Sequence, residues 1–207
     1  MLTSQRKEGG YVRAEVSLQQ AKSARSRDVI CRSTIKLLAE VGYAETTINR
    51  VAQRAGVSKG AVQYHFPGKE DLIAATVDML LLRTFQKGRK PADVEASLLD
   101  MWQRFVNTTS YRALLEVLNA ARTDRMLQAR ISAQLVAWGQ RMDQQSLQNF
   151  TASSGEDADV VMLLNMTRSF MRGLLLQEQY GVSQETTLEY MSKWIELVGP
   201  LLRLRQQ

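Results

Sequence analysis

Between Thr47 and Lys69 the chain sets hydroxyls, an amide and cations at spacings that suit contact with a polyanion better than bond-breaking chemistry. Thr47, Ser58, Lys59, Gln63, Tyr64, His65 and Lys69 all carry hydrogen-bond donors, while Gly60 and Ala61 are small enough to let a backbone come close to a partner. Lysine and glutamine can reach base edges, whereas threonine, lysine and exposed helix N-termini suit phosphates. There is no Ser-His-Asp set, no metal-ligand cluster and no phosphate-cradling glycine loop. One histidine and one cysteine leave little else to work with, so no enzyme activity, no cofactor and no metal site is expected. The histidine, His65, reads as a phosphate contact or as packing at a helix end. The cysteine, Cys31, lies in an apolar-periodic stretch and reads as a small core residue, with a redox sensor as the alternative.

Donors of this kind need helices to hold them. Val29, Ile30, Ser33, Thr34, Leu37, Leu38 and Val41 recur at spacings of three and four from about Ser26, and Gly42 ends that helix. Thr46 or Thr47 caps a short second helix with Ile48, Val51, Ala52 and Ala55 on its buried face. Gly56 stops it, Val57 plugs the corner, and Ser58 caps a third helix that runs to about His65. Pro67-Gly68 breaks the chain before a longer helix, from Lys69 to about residue 88. Two short helices joined by a glycine turn and packed on a longer one fit a helix-turn-helix, whose second helix can enter the major groove of DNA. Lys59, Gly60, Gln63 and Tyr64 would face outward. The alternative is an ordinary corner of a three-helix bundle.

Charge divides the chain in the same sense. Residues 1–90 carry 16 Lys/Arg against 8 Asp/Glu, and residues 91–207 carry 11 against 13. A basic front suggests a polyanionic partner, the alternative being a merely solvated face. Residues 1–24 read as a flexible basic tail. Its cations, with Arg25 and Arg27, either add phosphate attraction or form a solvated leader. No run of 18 apolar residues and no signal-peptide core is present, so a cytoplasmic protein without a membrane span is expected.

With 44% apolar residues, 3 prolines and 12 glycines, the 207-residue chain reads as all-α, with about nine helices. Residues 25–72 form the three-helix front and 73–207 the helical rear. Gly88 to Pro91 marks a hinge, and helices are expected near 93–108, 110–121, 124–150, 156–180 and 184–205. The last two are more apolar than one buried face requires, and Gly173 and Gly199 permit close helix approach. That apolarity suits pairing of these helices with those of a second copy, the alternative being a monomer core. Trp102, Phe105, Leu115, Leu118, Asn119, Arg122, Met126, Trp138, Met142 and Phe170 are candidates for a ligand cavity, or else plain core. Arg122 or Arg168 could hold an anionic ligand, with surface ion pairing as the alternative.

Residues 27–73 resemble the N-terminal domain of the TetR (tetracycline-repressor-like) family of transcriptional regulators. Gly42-Tyr43, Thr46-Thr47, Val51-Ala52, Ala55-Gly56-Val57-Ser58, Lys59-Gly60, Tyr64-His65-Phe66 and Lys69-Glu70 followed by Leu72 carry the likeness. The resemblance implies a phosphate contact at Thr47, recognition-helix contacts at Ser58, Lys59, Gly60, Ala61, Gln63, Tyr64 and His65, and a phosphate contact at Lys69. Many members have an aromatic where this chain has Gln63. For the rear half, the resemblance implies inducer binding and dimerisation. The whole would be a homodimeric repressor on a palindromic double-stranded DNA operator, released by a small apolar or amphipathic ligand. A regulator of the same fold that answers to a protein partner, or to no inducer, is the alternative.

Overall fold

The computed structural model describes residues 5–85 and 91–205, with side chains from Gln19 onward. Nine α-helices run through the described residues: α1 Gln5–Glu45, α2 Ile48–Ala55, α3 Lys59–His65, α4 Lys69–Arg83, α5 Val94–Asp100, α6 Thr109–Ala121, α7 Arg125–Asn149, α8 Asp157–Gln177 and α9 Gln184–Val198. The fold is all-α, as its composition implies.

Three details depart from the sequence reading. Helical backbone begins at Gln5 and not near Ser26, so the tail expected over 1–24 is helix for most of its length. Ala14, Glu15, Gln19, Gln20, Ala21 and Lys22 are good helix formers and no proline intervenes. Gly42 does break the run, with φ 77° and ψ 177°, a conformation that glycine adopts at little cost. The helix expected over 93–108 changes pitch at Met101–Val106, which is a π-helix closed by Asn107 N–H donating to the Trp102 carbonyl at 2.7 Å. The helices expected over 124–150 and 184–205 stop at Asn149 and Val198, and beyond them Phe150–Ala152 (β1) pairs antiparallel with Leu202–Leu204 (β2). Pro200, lacking an N–H, stops α9 and frees the chain to turn back. Residues 86–90, where most of the expected hinge falls, lie outside the described residues.

Two apolar clusters organise the helices. The front cluster joins Ile30, Cys31 and Leu37 of α1 to Val51, Ala52, Val62, Phe66 and Leu72. The rear cluster includes Ile35 and Leu38 of α1, Ile73, Val77, Leu80 and Leu81 of α4, Trp102, and the inner faces of α6 to α9. Both α1 and α4 therefore serve two cores, and the front and rear share them. Val29 and Val41, expected on the buried face of α1, are exposed. Cys31 is 3% exposed and packs as a small core residue.

Candidate functional site

The corner between α2 and α3 is built by caps. Thr47, in extended backbone, accepts the Arg50 N–H through its hydroxyl, while the buried Thr46 instead donates to the Gly42 carbonyl at 2.7 Å. Gly56 closes α2 at φ 67°. Val57 N–H then bonds the Ala52 carbonyl at 3.0 Å, and Ser58 caps α3 by accepting the Ala61 N–H at 3.1 Å. Val62 is wholly buried beneath α3, with Val51 under α2; burying each stabilises the corner by about 1.5–3 kcal/mol.

That anchoring turns the opposite face of α3 to solvent. Lys59, Gly60, Gln63 and Tyr64 are exposed, and Ala61 is half-buried. Tyr64 is the extreme, at 80% exposure with its ring edge against His65. Lys59 forms no ion pair among the described residues, whereas Arg50 and Arg54 on α2 are held by Glu45 and Glu40. His65 is half-buried at the end of α3. Burial, and secondarily the nearby Arg27, pushes its pKa below the usual histidine value. Arg27 itself donates to the His65 carbonyl at 3.0 Å and lies over the Phe66 ring at 4.5 Å, tying α1 to the end of α3.

Lys69 occupies the first turn of α4 and looks inward as well as outward. Its ammonium donates to the Tyr43 carbonyl at 2.7 Å and sits 4.0 Å from the centre of the Tyr43 ring. Partial burial draws its pKa down, against the opposing charges of Glu70, Asp124 and Glu45. The Tyr43 hydroxyl lies 3.4 Å from the carboxylate of Asp124, the N-cap of α7. Lys69, Tyr43 and Asp124 thus link the front to the rear.

The ten residues expected to line a cavity do not converge. Trp102 is core. Leu115 and Leu118 lie half-buried on α6 against the same core. Trp138 is half-buried and donates through Nε1 to the Thr84 hydroxyl at 2.9 Å, while Phe170 stacks on Trp194 at 4.6 Å. Met142 is half-buried on α7. Asn119 and Arg122 are exposed, and so is Met126. Helical periodicity reports which face of one helix is apolar; it does not report which faces meet. Phe105 alone among the ten borders a cleft of about 220 Å³ between the end of α4, the π-helix and the start of α6. Arg83, Thr84, Ser110 and Tyr111 supply its polar groups, and Leu80 and Leu114 its apolar wall. Asn119 borders a separate open groove of about 490 Å³ beside Gly42 and Tyr43. Arg168, the other watched cation, is buried and satisfied by Asp143 at 3.2 Å, Asn165 at 2.9 Å and Ser146 at 3.3 Å. Sequence reading passed over Arg83. The one available signal was an arginine ending an apolar helix directly after Leu80, Leu81 and Leu82.

Comparison with known proteins places this arrangement. The family model for bacterial regulatory proteins of the TetR family matches residues 30–76, the span from the core of α1 to the middle of α4. The tetracycline repressor class A from transposon 1721 of Escherichia coli is 30% identical over 161 residues, which cover 75% of this chain and 68% of that protein.

The chain belongs to the TetR family.

Membership places this TetR-family chain among transcriptional regulators and not among enzymes. BetI 2 of Chromohalobacter salexigens, an HTH-type transcriptional regulator, is 40% identical over 55 residues, and the chain spans only 27% of its length. A regulator of Mycobacterium bovis is 34% identical over 116 residues, 60% of its length. A transcriptional regulator from Saccharomonospora viridis, solved in complex with choline, superposes with a TM-score of 0.61 at 18% identity, covering 88% of this chain and all of that one. The shared fold therefore extends through the rear half.

Proposed function

We propose that this TetR-family chain is a homodimeric DNA-binding repressor that leaves a palindromic operator when a small molecule binds its rear half. The observation that carries the DNA-binding reading is the outer face of α3. Lys59, Gln63 and Tyr64 stand in solvent while Val62 fixes the helix from beneath. Lys59 and Gln63 have the chemistry to read base edges. Thr47, Ser58 and the N–H groups at the starts of α2 and α3 have the chemistry to hold phosphates, with Gly60 and Ala61 admitting close approach. Tyr64, His65 and Lys69 extend the contact surface toward α4. The protein acts in the cytoplasm.

Dimerisation is supported by α8 and α9. Met162, Met166, Gly173 and Leu176 share an exposed face of α8, and Tyr190, Leu197 and Leu201 are exposed along and just beyond α9. Two such chains on a two-fold axis would present their α3 helices to successive major grooves. Release follows from α4, whose first turn carries Lys69 beside α3 and whose last residue, Arg83, borders the rear cleft. At 1.5 Å per residue this helix is about 20 Å long. A ligand that shifts its far end changes the spacing of the two α3 helices.

The test is footprinting of the full chain on the DNA flanking its own gene, with and without candidate ligands. A protected palindrome, lost on addition of ligand, is the expected result. Protection of no sequence in preference to any other would overturn the DNA-binding reading.

A further inference from the structure

Among the described residues, Arg83 is a half-buried cation without an anion. Its closest polar contacts are the Ser110 hydroxyl at 3.5 Å and the Met79 sulfur at 3.6 Å, both long and weak. No carboxylate pairs with it among the described residues, and residues 86–90, Gln-Lys-Gly-Arg-Lys, contribute none. Two other rear arginines that are at least partly buried are paired, Arg112 with Glu178 at 2.7 Å and Arg168 with Asp143 at 3.2 Å, while half-buried Arg172 donates to the Arg168 carbonyl. A guanidinium drawn partly out of water with its donors unfilled is costly, and it invites a bidentate acceptor.

The rest of the cleft agrees in sign and in shape. Among the described residues no Asp or Glu lines it, and the second arginine at its edge, Arg104, is bound to Asp100 at 3.3 Å. The hydroxyls of Thr84 and Thr108 are already spent as donors on carbonyls of Leu81 and Phe105. Ser110 makes no hydrogen bond among the described residues other than that long one to Arg83. Opposite these donors stand Leu114 and the tilted Phe105–Tyr111 ring pair, 5.5 Å between centroids. Arg104 and Phe105 reach the cleft on the π-helix, a geometry that is rare and frequently found at functional sites.

We infer that this cleft binds a small amphipathic carboxylate, the anion on Arg83 and Ser110 and the apolar body against Phe105 and Leu114. The volume of about 220 Å³ is below the range of ordinary drug-sized sites, which limits the ligand to a short-chain or single-ring acid. A single guanidinium with one hydroxyl matches a monoanion better than a phosphate dianion. A quaternary ammonium would face two arginines and no counter-charge. The inference names the ligand class of the effector site, and so rests on the reading of the rear half as an effector domain.

Calorimetric titration of the full chain with straight-chain and aryl monocarboxylates tests it. The matching primary amides, choline and inorganic phosphate form the other arms. At least one acid should bind, with its amide roughly tenfold to a hundredfold weaker, and with choline and phosphate silent. In Arg83→Gln the acid and its amide should bind alike, while the melting temperature is unchanged. Binding by no acid, equal binding of amide and acid to the wild type, or competition by phosphate at equal strength would overturn the inference. Discrimination that survives in Arg83→Gln would do the same. The wild-type acid-to-amide comparison stands even if the variant fails to fold. Mobility shifts run in parallel separate the two readings. An acid that binds without loosening DNA sinks ligand release and leaves the site. Release by choline or an amide, with no acid bound, sinks the site and leaves ligand release.

Discussion

Lys69 and Tyr43 are joined twice: the ammonium donates to the Tyr43 carbonyl at 2.7 Å and rests 4.0 Å from the centre of its ring. The same lysine is the proposed phosphate contact. It cannot be removed without loosening the junction between α1 and α4. Lys69→Ala is expected to lower stability by about 1–2 kcal/mol, read by denaturant titration. It should also weaken binding to all DNA sequences, with the salt slope shallower by about one. A loss of stability with an unchanged salt slope would make Lys69 a clamp and nothing more.

Tyr43 gives the junction a pH signature. Burial, then the charges of Asp124 and Glu70 and the bond to Asp124, push its phenol from the ordinary 10 up to about 12. The folded chain therefore keeps a proton that the unfolded chain has already lost in that window. Stability contributed by the neutral phenol is complete below pH 10 and declines as pH rises toward 12. Denaturation midpoints measured on both sides of pH 10 should fall more steeply for the wild type than for Tyr43→Phe. Parallel slopes would show that the phenol is not held by its surroundings.

On α3, Lys59→Ala and Gln63→Ala are expected to leave the fold intact, because both side chains are exposed. Their effect should fall on sequence preference, by about 1–3 kcal/mol at the base pair each one reads. Selection of bound sequences from a random pool, compared between wild type and variants, reads that change directly. An unaltered preferred sequence in both variants would mean that α3 is seated differently.

Gly56 tests the corner itself. Its φ of 67° is left-handed, and a Cβ there would meet nothing within 4 Å. Strain is then the whole penalty. Gly56→Ala should cost roughly 1–2 kcal/mol, and Gly56→Asn less, since asparagine tolerates this region. Thermal melts order the three proteins.

Gly173 separates folding from assembly. A Cβ at this position also meets nothing within 4 Å, and the residue sits mid-helix on the exposed face of α8. Gly173→Ala should add about 0.5–1 kcal/mol of helix stability to the chain. Gly173→Arg should leave the chain folded and shift sedimentation from dimer to monomer. A dimer that persists in Gly173→Arg places the interface elsewhere.

Most of the front was legible because its signals are local. Thr47, Gly56, Ser58 and Pro67-Gly68 act within one turn of themselves, so caps and stops could be read from neighbours in sequence. The outward face of α3 followed once Val62 was placed inside. The rear was legible as helices but not as a site. The cleft depends on Arg83, Phe105 and Ser110, which come from three elements, and no periodicity within one helix encodes where those elements meet. The β1–β2 pairing escaped notice for the same reason. Phe150 and Leu204 are far apart in the chain, and each segment continues an apolar helical pattern. Arg168 shows the converse. It read as a holder of an anionic ligand or a surface ion pair, and it is buried, with Asp143 and Ser146 on α7 and Asn165 on its own helix satisfying it.

The wide turn at Met101–Val106 also bears on how this chain should be aligned with its relatives. A π turn holds one residue more than the α-helix it interrupts. Relatives that run straight through this region will therefore need a one-residue gap between Met101 and Asn107. Deleting a single residue there should let the turn relax to ordinary pitch. The register of α5 would then rotate by about 100° relative to α6. Phe105 and Arg104 would be carried off the cleft while α6 to α9 kept their places.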